Sequence, residues 1–221
     1  MKLTKFEKSF IILFCFILIA EIQTGMSYPF LHYFAKPALL VSIIIFYYKQ
    51  NTSIANKIKQ LTFGALIFSL LGDILLMFAD KSDHFFTLGL VAFLTAHILY
   101  ILVLLKRRNT DKKPYLFSVI LLVYGGLLFY FLKDNLGDML IPVIVYMLVI
   151  LTMGTTAYLR KGEVPNVSYI LVFVGAILFM ISDSLLALNK FYEPLPFSNI
   201  SIMFTYAFAQ LCIIFGLLKE R

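Results

Sequence analysis

Five ionisable side chains stand where an apolar chain should have none: Glu21, Lys36, Asp73, His97 and Asp183. Each falls inside, or near the end of, a run of about 20 mostly apolar residues, the length that crosses a bilayer. A charge at the centre of a membrane costs roughly 2.5–3.5 kcal/mol on insertion scales, so such residues face a bundle interior and mark function. Asp73 and Asp183 are the pair with chemical potential. Burial disfavours a charged carboxyl group, and a like charge nearby disfavours it further in one of the two. One aspartate can then stay protonated near neutral pH while the other, helped by Lys36, stays ionised. General acid–base hydrolysis needs that split.

The elements that must position these groups are helices. The chain has 221 residues, 61% hydrophobic and 14% charged. A soluble domain is about 45–50% apolar and 25% charged. Its apolar runs are too long and too continuous for barrel strands, which alternate over about ten residues. The spacing predicts eight spans within one integral-membrane domain, 1–221. They run roughly Ser9–Met26, Phe30–Tyr48, Lys59–Ala79, His84–Leu105, Pro114–Leu132, Gly137–Leu159, Asn166–Leu188 and Asn199–Leu218. The start, Met1 to Ala20, has the lysines and apolar run of a signal peptide. No small-residue cleavage pattern follows, and it reads as a retained first helix.

The net charge of +7 does not signal nucleic acid, because the basic residues fall in loops between spans. With the N-terminus inside, the inner segments carry Lys2, Lys5, Lys8, Lys49, Lys57, Lys59, Lys106, Arg107, Arg108, Lys112, Lys113, Arg160, Lys161, Lys219 and Arg221, 15 of 19. The outer loops carry Lys81, Lys133 and Lys190, and Lys36 lies within helix 2. This bias implies an N-in, C-in topology. Cys15 and Cys212 lie within spans and read as buried thiols.

On that topology the polar groups share one layer. Asp73 and Asp183 fall in the outer halves of helices 3 and 7, Lys36 in the outer third of helix 2 and His97 near the middle of helix 4. Glu21 sits near the outer end of helix 1 and is expected to be interfacial. Tyr206 and Gln210 fall in the outer half of helix 8. The layer implies a polar cavity opening outward, with Tyr100, Tyr206, Gln210 and Asn189 as supporting residues. His32 and His84, at span ends, are expected to face headgroups. A parallel 4+4 repeat is suggested by Gly72-Asp73-Ile74-Leu75-Leu76 against Ser182-Asp183-Ser184-Leu185-Leu186, and by Pro37 and Pro142 in helices 2 and 6.

These motifs resemble the lysoplasmalogenase, or YhhN-like, membrane family. The resemblance rests on Lys36-Pro37, Gly72-Asp73 and Ala96-His97-x-x-Tyr100. It is strongest from Gly175 to Gln210, through Ser182-Asp183-Ser184, Pro194-x-Pro196-x-Ser198, Thr205-Tyr206 and Ala209-Gln210. It implies an eight-helix hydrolase of the cell membrane that acts on the vinyl ether bond of lysoplasmalogens, with Asp73 and Asp183 as the catalytic pair. The products would be a fatty aldehyde and glycerophosphoethanolamine or glycerophosphocholine. Protonation of the vinyl β-carbon leaves an oxocarbenium-like cation for water to attack, and glycosidases use paired carboxylates against a similar cation. Asp183 is the first choice for the acid. Lys36 would hold phosphate or tune an aspartate, and His97 and Gln210 would position water.

Other readings of the same residues stay open. A lysolipid-binding or transport protein would use the cavity without turnover. An intramembrane aspartyl protease fits poorly, because Leu70 stands where its Gly-x-Gly-Asp pattern needs glycine and no Tyr-Asp partner exists. A metal-dependent hydrolase would have to draw on Asp73, His97 and Asp183, and with three histidines in the chain no metal or other cofactor is expected. No Gly-x-Ser-x-Gly elbow is present to supply a serine nucleophile.

Overall fold

The computed structural model describes residues 3–51 and 54–220. Lys2 and Arg221, counted above among the inner basic residues, lie outside them. Among the described residues are eight long α-helices: α1 Lys5–Ser27, α2 Pro29–Gln50, α3 Asn56–Leu76, α4 Asp83–Leu105, α5 Tyr115–Leu132, α6 Leu140–Leu159, α7 Asn166–Phe191 and α8 Ser198–Leu218. All eight regions are long and apolar enough to cross a membrane. In lipid every backbone polar group must be satisfied within the chain, which is why such sequences fold as helices.

The ends follow local chemistry. Thr4 starts α1 with a capping box: its Oγ1 accepts from Glu7 N at 3.1 Å, and Glu7 Oε2 accepts from Thr4 N at 2.8 Å. α3 stops at Leu76, three residues before the expected Ala79. There the chain turns, with Ala79 N donating to Leu76 O and Lys81 N to Phe78 O. The sixth span opens with a 3₁₀ turn, Gly137–Met139, entered through Gly137 at φ +48°, a left-handed backbone that glycine adopts without cost to a side chain. Pro142 is the third residue of α6, where its missing N–H has no helical partner to lose. α7 runs to Phe191, three residues beyond Leu188. α8 follows a sharp corner at Phe197, held at φ 55°.

The chain forms two compact units, 1–96 and 97–221. The division falls inside α4 rather than between the fourth and fifth helices, where a 4+4 duplication would put it. Its physical reason is the partners of α4's second half: His97 and Tyr100 reach side chains of α7 and α8.

In the first unit, α1 and α2 join through the single residue Tyr28. Phe10 stacks on Phe46 at 4.0 Å between ring centres, and Tyr47 meets Phe63 of α3 edge-on at 5.0 Å. In the second unit, α7 and α8 pack antiparallel in a seven-residue register. Ser182 Oγ donates to Ile202 O at 3.0 Å, and Ser168 Oγ donates to Gly216 O at 2.7 Å. Midway, a Cβ on Gly175 would stand 2.9 Å from Ala209 O. Ser168, Gly175 and Ser182 thus oppose Gly216, Ala209 and Ile202, each two helical turns apart. The five small residues of this set, all but Ile202, let the two backbones approach, the usual way membrane helices bind without a hydrophobic drive.

Candidate active site

Asp183 lies two-thirds along α7 and faces the interior of the second unit, with its side chain 14% exposed. A carboxylate taken out of water needs donors to replace its hydration. Tyr146 of α6 supplies one, donating from its phenol to Asp183 Oδ2 at 2.5 Å. That length belongs to charge-assisted O–H···O⁻ hydrogen bonds. His97 of α4 brings Nε2 within 3.7 Å of the same oxygen. The imidazole is 1% exposed and is clamped edge-on between Phe179, at 4.5 Å, and Tyr146, at 5.4 Å.

The neighbouring polar groups are also held by side chains. Tyr100, one turn beyond His97 on α4, donates to Gln210 Oε1 at 2.7 Å, and both residues are fully buried. Tyr206 packs edge-on against the Phe179 ring at 5.4 Å. Ser184, next to Asp183, donates to Met180 O at 2.7 Å and accepts from the Tyr124 hydroxyl of α5 at 2.7 Å. The second unit therefore brings together Asp183, His97, Tyr100, Tyr206 and Gln210 from the sequence-based set.

Asn189 serves elsewhere. Its Oδ1 accepts from Leu195 N at 2.9 Å, closing the connection between α7 and α8.

The first unit holds a second buried cluster. Glu21, near the end of α1, is fully buried within the protein, and His32 Nδ1 stands 3.8 Å from its Oε1. The cause is the one-residue turn at Tyr28, which folds the first turn of α2 back onto the last turns of α1. His32 thus faces a carboxylate, with its side chain still 20% exposed. In the same unit Asp73 of α3 is also buried, 2% exposed.

Sequence reasoning missed Tyr146, Tyr124, Ser184 and His32. The available signal was position: tyrosine favours membrane interfaces, whereas Tyr146 and Tyr124 sit well inside α6 and α5.

Eight helices long and apolar enough to cross a membrane, with carboxyl, imidazole and phenol groups meeting inside the second unit, define a multi-pass membrane protein with a polar site among its spans. The chain belongs to the YhhN family, whose model matches residues 31–217. It is similar to the lysoplasmalogenase TMEM86B of Homo sapiens, 34% identical over 161 residues, covering 73% of this chain and 65% of that protein. Lysoplasmalogenase TMEM86A of Bos taurus is 34% identical, covering 72% of this chain and 65% of its own. The lysoplasmalogenase of Mycobacterium tuberculosis is 33% identical, covering 71% and 60%. The chain thus spans 65% or less of the length of these relatives. No solved structure matches it.

Proposed function

We propose that this chain is a hydrolase of the cell membrane that cleaves the vinyl ether bond of lysoplasmalogens, with Asp73 and Asp183 as its acid–base pair. The observation that carries the reading is Asp183 itself: a carboxylate inside a membrane helix, hydrogen-bonded by Tyr146 and approached by His97. An intramembrane ionisable group at this cost is retained for function. The relatives' names supply the substrate class.

The reaction needs four proton transfers and one water. An acid protonates the vinyl β-carbon, leaving an oxocarbenium-like cation. Water adds to the carbon bonded to oxygen and gives up a proton to a carboxylate. The hemiacetal then loses its hydroxyl proton as the C–O bond to glycerol breaks and that oxygen is protonated. A fatty aldehyde and a glycerophospho-alcohol leave, and both carboxyl groups return to their starting states. The acid–base transfers contribute roughly 10²–10⁴-fold to such a rate.

Purified protein in liposomes tests this. It should release aldehyde and glycerophospho-alcohol in equal amounts from lysoplasmalogen and leave the acyl lysophospholipid of the same headgroup intact. In D₂O the aldehyde, trapped at once by borohydride, should carry one deuterium on the carbon next to the carbonyl. Lysolipid movement across the membrane without aldehyde release would overturn the proposal.

A further inference from the structure

A small cavity of 40 Å³ lies between α5, α6 and α7, against the site. Its polar lining comes from Tyr146, Asp183 and Ser184, and Met147, Ile150 and Ala187 are among the apolar residues that complete it. A water needs at least about 10–15 Å³ of such space and two or more polar partners. Both conditions are met. Asp183 offers carboxylate lone pairs. Ser184 spends its proton on Met180 O and one lone pair on Tyr124, which leaves its second lone pair to accept.

We propose that this cavity seats the attacking water and that Asp183 is the general base that activates it, with Tyr146 as a positioning residue that holds the carboxylate by its phenol. The inference rests on the hydrolase reading above. A water donating one hydrogen to Asp183 and the other to Ser184 presents its own lone pairs to the cation. When it adds, its oxygen bonds to the carbon that carries the ether oxygen, and the proton facing Asp183 moves to that carboxylate. The proton that went to the β-carbon came from another acid, Asp73 in the proposed pair. This order reverses the sequence-based choice of Asp183 as the acid. The reason is local: the Asp183 carboxylate, held by the Tyr146 phenol, lines the cavity in which the water would sit.

Among the titratable groups facing Asp183 are His97 from α4 and Tyr146 from α6, with Tyr124 of α5 one hydroxyl away at Ser184. Tyr206 of α8 lies on Phe179.

The roles separate in the pH dependence of kcat for lysoplasmalogen cleavage by the full chain in liposomes. If Asp183 is the base, Tyr146→Phe removes a donor to the active carboxylate, and the acidic limb moves to higher pH. If Asp183 is the acid, the same change moves the basic limb instead. A shift of the basic limb, or no shift of either, overturns the inference. Limb positions do not depend on how much of the variant folds. Ala187→Leu, which fills the cavity from its apolar wall, should lower kcat on the order of 10²-fold with KM unchanged. An increase in KM alone would assign the cavity to substrate and overturn it as the water seat. Absence of aldehyde release by the unmodified protein would defeat the hydrolase reading, which is a separate result.

Discussion

Tyr146 on α6 donates to Oδ2 of Asp183 on α7, and the same carboxylate oxygen faces the imidazole of His97. Three helices thus converge on one atom, and the imidazole is packed on both sides by rings. His97→Phe keeps a ring in the clamp and removes the nitrogen. It should lower kcat about 10²-fold while the melting temperature stays close to that of the parent. Unchanged kcat, measured as aldehyde release, would reduce His97 to a packing residue.

The Tyr100–Gln210 bond ties the second half of α4 to α8. A double-mutant cycle with Tyr100→Phe and Gln210→Leu should give a coupling of about 0.6 kcal/mol, the average for polar pairs between membrane helices, and no more than about 1.7 kcal/mol. Reversible unfolding in mixed micelles measures it. Additive effects would show that the two side chains do not support one another.

The close approach of α7 and α8 predicts a graded response of glycines to substitution. A Cβ at Gly216 would lie 2.6 Å from Val172 Cγ2 and 2.9 Å from Val172 N, whereas one at Gly126 would meet nothing within 4 Å. Gly216→Ala and Gly175→Ala should each cost about 1–3 kcal/mol, and Gly126→Ala should be neutral or slightly stabilising, since alanine is the better helix former. Thermal melts of the three variants decide this. Equal behaviour of all three would contradict the register.

These comparisons show where the sequence was readable. The eight spans were legible because each is a continuous apolar run, and their centres fall where hydropathy puts them. Ends depended on details hydropathy does not carry, such as the positive φ of Gly137. Asp183 and His97 stood out because charge is costly in lipid, and the structure places them 3.7 Å apart. Tyr146 did not stand out, because a tyrosine in an apolar run carries no charge to notice. Glu21 was read from its depth along α1, but its burial is set by the one-residue turn at Tyr28, a tertiary consequence that position in a span does not reveal. The same turn brought His32 to Glu21.

At the basic end of the second unit, Arg160 is fully buried, and its guanidinium bonds Ser168 and Glu220, the latter at the end of α8. Removing one partner of a buried pair leaves an uncompensated charge and costs roughly 3–5 kcal/mol, whereas replacing both with apolar residues is often close to neutral. Glu220→Ala should therefore destabilise more than the double variant Arg160→Met, Glu220→Leu. A melt in which the double variant is the weaker of the two would contradict this account of the pair.

If buried carboxylates carry out hydrolysis in this membrane chain, as proposed, the initial rate of aldehyde release from lysoplasmalogen must fall in purified protein bearing Asp183→Asn or Asp73→Asn. These changes keep side-chain size and remove the titrating group. Each variant should fold as the parent does, bind lysolipid, and lose about 10²–10⁴-fold in kcat. Parent-like rates in both variants would contradict the carboxylate mechanism.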